Sequence, residues 1–296
     1  HTVTGSCYLV QSQDANILID CGMFQGGRAL RDKNGEPFRF TPADIDKVLL
    51  THAHIDHCGL VPKLFVDGYK GDIIATKATC DLLKIMLPDS AHIQEADAEM
   101  RTRKGARAGE APVKPIYTLA DAQAALEHIS PVEYGQQVQV ANNITAVFHD
   151  AGHIMGSAMI ELFVTENGET TKVLFSGDIG QPGQPIIRDP ERIKGVDYLI
   201  LESTYGDRTH QIYDKEAALA DIINDTMDRG GNLVIPAFAV GRTQTMLYYI
   251  YRLWKAEKID DVSVIVDSPM AIAATQAFAQ NVKEFDEESR AMLRNG

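Results

Sequence analysis

Thr51-His52-Ala53-His54-Ile55-Asp56-His57-Cys58 places four side chains that can bind a metal within six positions, directly after the apolar run Lys47–Leu50. Imidazole nitrogen and carboxylate oxygen are the ligands that zinc takes in catalytic sites, where one position stays open for water. On an extended segment, residues two apart point the same way, so His52 and His54 face one point. A turn after them can aim Asp56 and His57 at a neighbouring point, and two adjacent metals become geometrically accessible. A polar loop of surface histidines is the bland alternative, but it does not ordinarily supply four ligands at this density.

Working outward, two further segments offer one ligand each between glycines. These are Gly152-His153-Ile154-Met155-Gly156-Ser157, and Ser176-Gly177-Asp178-Ile179-Gly180 at the end of an apolar run. Glycine beside a ligand permits unusual backbone angles and close approach to a metal centre. Taken singly, His153 or Asp178 reads as a loop or capping residue, and their weight comes from company with the cluster.

The surrounding pattern alternates between strands and helices. β-rich runs occupy Ser6 to Asp20 and Lys47 to Thr51, and polar residues close each run, as if delivered to a common edge. A long helix is predicted from about Lys77 to Lys104, and another from Leu119 to Ile129 behind the N-cap candidate Thr118. Asn167-Gly168 between Ala158–Thr165 and Thr171–Ser176 is a hairpin signal. Val196 to Leu201 reads as a buried strand. Beyond Asp207 the order becomes helix (Asp214–Arg229), apolar strand (Asn232–Pro236), helix (Thr243–Glu257), strand (Val262–Asp267) and a helix from Met270, which predicts a parallel sheet flanked by helices. A domain boundary is expected at Asp207 to Tyr213.

Composition narrows the class further. The chain has 296 residues and is 45% hydrophobic, enough for two domains or one large one. No apolar stretch approaches the roughly 20 residues needed to cross a bilayer, and His1 to Tyr8 lacks the pattern of a secretory signal. Cys7, Cys21, Cys58 and Cys80 show no C-x-x-C pair, so reduced thiols in a cytoplasm are expected. The formal net charge of -13 argues against a protein that coats nucleic acid by bulk charge, while leaving room for a local basic patch. Arg101, Arg103, Lys104 and Arg107 form one basic run, which reads as a solvated helix end able to touch an RNA backbone. His92, His128 and His149 fit no ligand position and are assigned to packing or surface.

Taken in order, Asp20, His52-x-His54-x-Asp56-His57, His153 and Asp178 resemble the metal-site motifs of the metallo-β-lactamase superfamily over roughly the first 200 residues. The resemblance implies an α/β fold, an αββα sandwich. It implies one zinc on His52, His54 and His153, a second on Asp56 and His57, and Asp178 bridging the two. Asp20 would orient the ligand-bearing loop, although it also reads as an ordinary aspartate closing a strand before Gly22.

Glu202-Ser203-Thr204-Tyr205-Gly206-Asp207-Arg208-Thr209-His210 resembles the acidic first motif of the β-CASP branch of that superfamily, which processes nucleic acids, in the wording of its RNA-cleaving members. Val234 to Gln244, with Gly241-Arg242 at a helix start, and Asp267-Ser268-Pro269-Met270-Ala271 resemble two further β-CASP segments. Backbone N–H groups at Gly241 and the charge of Arg242 suit phosphate, and Ser268 and His210 are weaker candidates.

These resemblances imply a metallo-β-lactamase domain over residues 1–207 with its first strand missing, followed by an inserted and incomplete β-CASP domain over 208–296. The implied activity is zinc-dependent hydrolysis of single-stranded RNA, endo or exo, with Asp178, Glu202 and Asp56 in catalytic roles and two zinc ions per complete chain. No membrane partner is expected, and a homodimer is a candidate assembly. Two histidines that the family pattern places downstream are not among the nine here, all of which lie at or before His210. The expectation is therefore a piece lacking both ends and impaired on its own. The rival readings are a small-molecule hydrolase on the same scaffold and a non-catalytic RNA-binding homologue.

Overall fold

The computed structural model describes residues 3–107, 109–209 and 213–295. The chain forms two compact units, His1–Pro182 with Asp189–Glu202, and Gly183–Arg188 with Ser203–Gly296. The division falls at Glu202/Ser203, ahead of the expected Asp207 to Tyr213, and residues 183–188 join the second unit.

In the first unit, strands β1 (Tyr8–Gln11), β2 (Asn16–Ile19), β3 (Lys47–Leu49), β4 (Asp72–Thr76) and β5 (Ile129–Val132) form one sheet in chain order. β1 runs antiparallel to β2, and β2 to β5 are mutually parallel. Parallel strands bring their C-terminal ends to one edge, the place where open α/β sheets build their sites. Asp20 leaves β2 at that edge, and Thr51 to His57 follow β3 there.

The second sheet holds β6 (Gln137–Ala141), β7 (Ile144–Asp150), β8 (Ala158–Glu166), β9 (Glu169–Phe175) and β10 (Tyr198–Ile200), in the order β10-β9-β8-β7-β6. Its pairs are antiparallel except β9 with β10. Asn167 (φ 51°) and Gly168 (φ 85°) turn β8 into β9, as the hairpin signal predicts.

The sheets face one another. Ile17, Ile19, Leu49 and Ile74 of the first pack with Ile144, Phe148, Ile160, Leu162 and Phe175 of the second in one buried cluster. The two-residue period of β7 and β8 supplies that inner face, and each such side chain contributes about 1.5–3 kcal/mol by leaving water.

Helices α1 (Arg28–Arg31), α2 (Ile55–Cys58), α3 (Val61–Val66), α4 (Lys77–Ala106) and α5 (Leu119–Leu126) belong to this unit. Thr76 caps α4 by accepting from the N–H of Thr79, and the helix continues through Pro88. Thr118 caps α5 as predicted, and the Asp121 carboxylate returns to the Thr118 N–H at 2.8 Å. α5 stops at Leu126, short of the expected Ile129, because Ile129 already pairs with Ile73 in the sheet.

The second unit contains α6 (Lys215–Asp228), α7 (Arg242–Lys255), α8 (Pro269–Gln280) and α9 (Glu287–Asn295). α6, α7 and α8 each start within one residue of the expected position, and Asp214 accepts from Ala217 N–H and Ser268 from Ala271 N–H as their caps.

Two expected strands do not form. Among the described residues neither 232–236 nor 262–267 pairs into a ladder. Leu233 and Val262 pack beside α6 and α7, while Val234 and Ile265 are each 84% exposed. A strand needs a neighbour to satisfy its backbone groups, which apolar alternation cannot supply. The expected burial of Val196 to Leu201 also fails. β10 pairs only with β9 among the described residues, and Tyr198, Leu199 and Leu201 are exposed.

Candidate metal centre

Three imidazoles and one carboxylate converge at the shared edge. His54 Nδ1 lies 3.1 Å from His52 Nε2 and 3.2 Å from His153 Nε2. Asp178 Oδ2 is 3.8 Å from His52 Nε2 and 3.6 Å from His153 Nε2. Among the described residues this is the one cluster whose ligand atoms all come within 4.8 Å of each other. Tetrahedral zinc with bonds of about 2.0–2.1 Å would set neighbouring ligands about 3.3 Å apart, so the donor set and its spacing fit that ion.

The electrostatics agree. Burial, together with the neighbouring His57, His54 and His153, pushes the His52 pKa far below the usual imidazole value. Burial and His153 bring His54 down to about 4, and burial lowers His153. All three are neutral near pH 7, the form that binds metal.

His57 behaves oppositely. Burial opposes its charge, but Asp20 and Asp178 outweigh burial and lift it to about 10. Its Nε2 faces Asp178 Oδ1 at 3.1 Å, so the two oxygens of Asp178 look toward different groups. Burial likewise works against the Asp178 charge, and the hydrogen bond and charge of His57 more than reverse it, holding the carboxyl below its ordinary range. Asp56 sits in the first turn of α2. Burial raises its pKa, and its carboxylate stands outside the four-group cluster.

Asp20 is 1% exposed and anchors the ligand segment. It accepts from Thr51 N–H at 2.8 Å, from the Thr51 hydroxyl at 2.8 Å and from His57 Nδ1–H at 2.7 Å. Holding Nδ1 in this way turns Nε2 toward Asp178. Glu202 bonds to Ser176 and Ile179, on either side of Asp178. Its Oε1 accepts from Ile179 N–H at 2.8 Å, while its own N–H donates to Ser176 Oγ at 2.9 Å, so it fixes the backbone beside Asp178.

Several positioning groups escaped the sequence reading. Ser157 Oγ accepts from the N–H groups of His153 and Ile154 at 3.0 and 3.2 Å. Thr76 and Thr79 hydroxyls both donate to Gly156 O, tying the His153 loop to the start of α4. Ala158 N–H donates to Thr51 O at 2.7 Å and so links the two sheets next to the cluster. Hydroxyls of this kind are too common along a sequence to stand out; only Ser157, inside the quoted glycine motif, carried a signal.

Glycines allow the loops to close. A Cβ on Gly22 would meet Asp56 O at 1.6 Å, and one on Gly180 would meet Gly152 O at 1.5 Å and His153 N at 2.8 Å. Gly180→Ala must therefore push the His153 loop away. Metal affinity is expected to fall about 10- to 100-fold, the usual cost of losing a ligand's support. Competition with a chromophoric chelator measures it, and wild-type affinity in a folded variant would remove this role from Gly180.

The remaining candidates lie in the second unit. The helix-start amides are already engaged: Gly241 N–H donates to Gln244 Oε1, Arg242 N–H to Val240 O and Thr243 N–H to Phe238 O. The exposed Arg242 side chain, and not the backbone, is the group left for a phosphate there. Ser268 Oγ caps α8. His210 lies outside the described residues. Of the histidines assigned to packing or surface, His128 packs against Phe65 with the rings tilted, His149 sits between Glu161 and Glu191, and His92 is exposed.

Comparison with known proteins adds the family. The profile of the metallo-beta-lactamase superfamily matches residues 2–126, and that of the Beta-Casp domain matches residues 243–295. Ribonuclease TTHA0252 of Thermus thermophilus is 36% identical over 99% of this chain and 62% of its own length. Transcription termination factor FttA of Methanocaldococcus jannaschii is 33% identical over 82% of this chain and 36% of its own. An RNase J-like protein of the same organism is 31% identical over 98% and 61%. This chain thus spans less than two thirds of each of these relatives.

Proposed function

Because the chain belongs to the metallo-β-lactamase superfamily, in its β-CASP branch, we propose that it is a zinc-dependent ribonuclease that hydrolyses phosphodiester bonds of single-stranded RNA in the cytoplasm. The convergence of His52, His54 and His153 on Asp178 carries this reading. The relatives named as ribonucleases supply the substrate class.

In this reading His52, His54, His153 and Asp178 would hold one zinc, and Asp56, His57 and Asp178 would hold a second. Zinc supplies Lewis acidity that makes hydroxide available near neutral pH and offsets charge on the phosphoryl oxygens. The chain's own residues do the rest. Asp20 keeps the His57 ring oriented through Nδ1, and Glu202 keeps the Asp178 loop in place. The Asp178 carboxylate accepts a hydrogen bond from the attacking water and aligns it with phosphorus. The exposed Arg242 side chain is the proposed phosphate contact of the second unit, since the Gly241 amide and the Ser268 hydroxyl already serve the starts of α7 and α8.

Incubation of the zinc-loaded protein with end-labelled single-stranded RNA tests the proposal, alongside a thioester and a β-lactam. For the full-length protein, RNA hydrolysis that chelator abolishes and zinc restores is the expected result, with two zinc ions per complete chain by elemental analysis. Turnover of the thioester or β-lactam with RNA left intact would replace it with a small-molecule hydrolase.

A further inference from the structure

The chain is acidic overall, but its charge is unevenly placed. Residues 28–39 and 99–114 hold nine of the 28 lysines and arginines and only four of the 41 acidic residues. The fold brings these two distant segments together. Arg28 and Asp32 form one wall of an open cleft of about 570 Å³, and Arg101, Lys104 and Gly105 of α4, with Glu110 and Val113, form the other.

A basic helix end has an ordinary explanation, since cations are favoured beside the C-terminal carbonyls of a helix. That accounts for Arg103, Lys104 and Arg107 on α4. It does not account for Arg28, which a separate segment sets across the cleft from Arg101 and Lys104. The cations are also available. Among the described residues, no carboxylate lies within ion-pair distance of Arg31, Arg101, Lys104 or Arg107. Arg28 meets Asp32 at 3.6 Å with both side chains largely exposed, a pair that water screens and a phosphate can displace.

Both walls are tied to the ligand-bearing segments. Asn34, buried behind α1, accepts from Phe24 N–H at 2.7 Å and donates to Phe24 O at 2.9 Å. Residues just before Phe24 are bonded to the cluster's helix, Met23 N–H to Ile55 O and Cys21 N–H to His57 O. On the other side, α4 begins at the threonines that hold the His153 loop and reaches Arg101 about 33 Å further along its axis, at about 1.5 Å per residue.

We infer that this cleft is a second, non-catalytic binding site for the phosphodiester backbone of a single-stranded RNA, gripping the strand at a distance from the metal centre. The inference rests on the ribonuclease reading. Arg28, Arg101 and Lys104 make sequence-independent phosphate contacts there. Because the site lies far along α4, it acts only on strands long enough to reach both places.

The test uses zinc-loaded wild type and the triple variant Arg28→Ala/Arg101→Ala/Lys104→Ala, on a short RNA of about four nucleotides and a long one of about 25, across a salt series. For the long RNA the triple variant should show KM raised about tenfold with kcat unchanged, and a log KM against log salt slope shallower by about two, as loss of three phosphate contacts requires. For the short RNA it should match wild type. A charge-conserving Arg101→Lys/Lys104→Arg variant should keep wild-type KM on both.

Equal KM and salt slope for wild type and triple variant on long RNA would overturn the second site while leaving the ribonuclease reading intact. So would an equal loss on short and long RNA, which marks a general structural effect. A full-length wild type that hydrolyses neither RNA overturns the ribonuclease reading, and the second site falls with it.

Discussion

Asp178→Asn is expected to lower RNA hydrolysis about 10³-fold while leaving the fold intact, within the 10²- to 10⁴-fold that a positioned acid or base contributes. The substitution preserves shape and removes charge. In the wild type Oδ1 faces His57 at 3.1 Å, and Oδ2 faces His153 at 3.6 Å and His52 at 3.8 Å. Burial pushes the carboxyl toward its neutral form, and the His57 hydrogen bond with the surrounding imidazoles more than compensates, so the group is ionised at neutral pH.

An amide has only one oxygen to offer, so it can serve one side of the cluster and must turn an NH₂ toward the other. Either way the link between His57 and the His52/His153 pair is broken, and the acceptor that aligns water is weakened. The backbone should hold, because Ile179 N–H stays bonded to Glu202. Single-turnover rates at saturating zinc, with metal content and melting temperature measured on the same samples, decide the matter. A variant within tenfold of wild type at full metal content would take Asp178 out of the chemistry.

The candidate ligands were legible in the sequence because they are local. Four groups within Thr51 to His57 follow a single strand, and His153 and Asp178 each sit between glycines whose positive φ angles, at Gly152, Gly156 and Gly177, fix the loops. Thr118 was readable for the same reason, since a cap and its helix are neighbours in sequence. Whatever depends on a distant partner was not. The apolar runs at 232–236 and 262–267 look like strands, yet a ladder is a property of two segments and none is supplied among the described residues. β10 is as apolar as a buried strand but stands at the edge of its sheet. Ser157, Thr76 and Thr79 acquire their role only when β4, β8 and α4 meet at Gly156.

Asp20→Ala should produce the largest loss of stability of any single change at the centre, about 3–5 kcal/mol, the cost of removing one partner of a buried charged pair. Three donors lose their acceptor together: Thr51 N–H, the Thr51 hydroxyl and His57 Nδ1–H. All are buried, so water does not replace the carboxylate freely. Asp20 also sits at φ 58°, a left-handed conformation that aspartate tolerates better than alanine. At about 2–4 °C per kcal/mol for a unit of this size, melting should fall by about 10 °C.

Function should suffer by a separate route. Without Asp20 the His57 ring loses what orients Nε2 toward Asp178, so affinity at the second zinc should drop about 10- to 100-fold, while His52, His54 and His153 keep theirs. Asp20→Asn separates the two effects. Its oxygen still accepts from Thr51 N–H, but its NH₂ replaces the acceptor that His57 and the Thr51 hydroxyl share, so it should recover part of the stability and little of the second-site affinity. Thermal melts in chelator followed by a zinc titration read both quantities on each variant. Should Asp20→Ala melt within two degrees of wild type and bind two zinc ions equally tightly, Asp20 would be no more than the residue that closes β2.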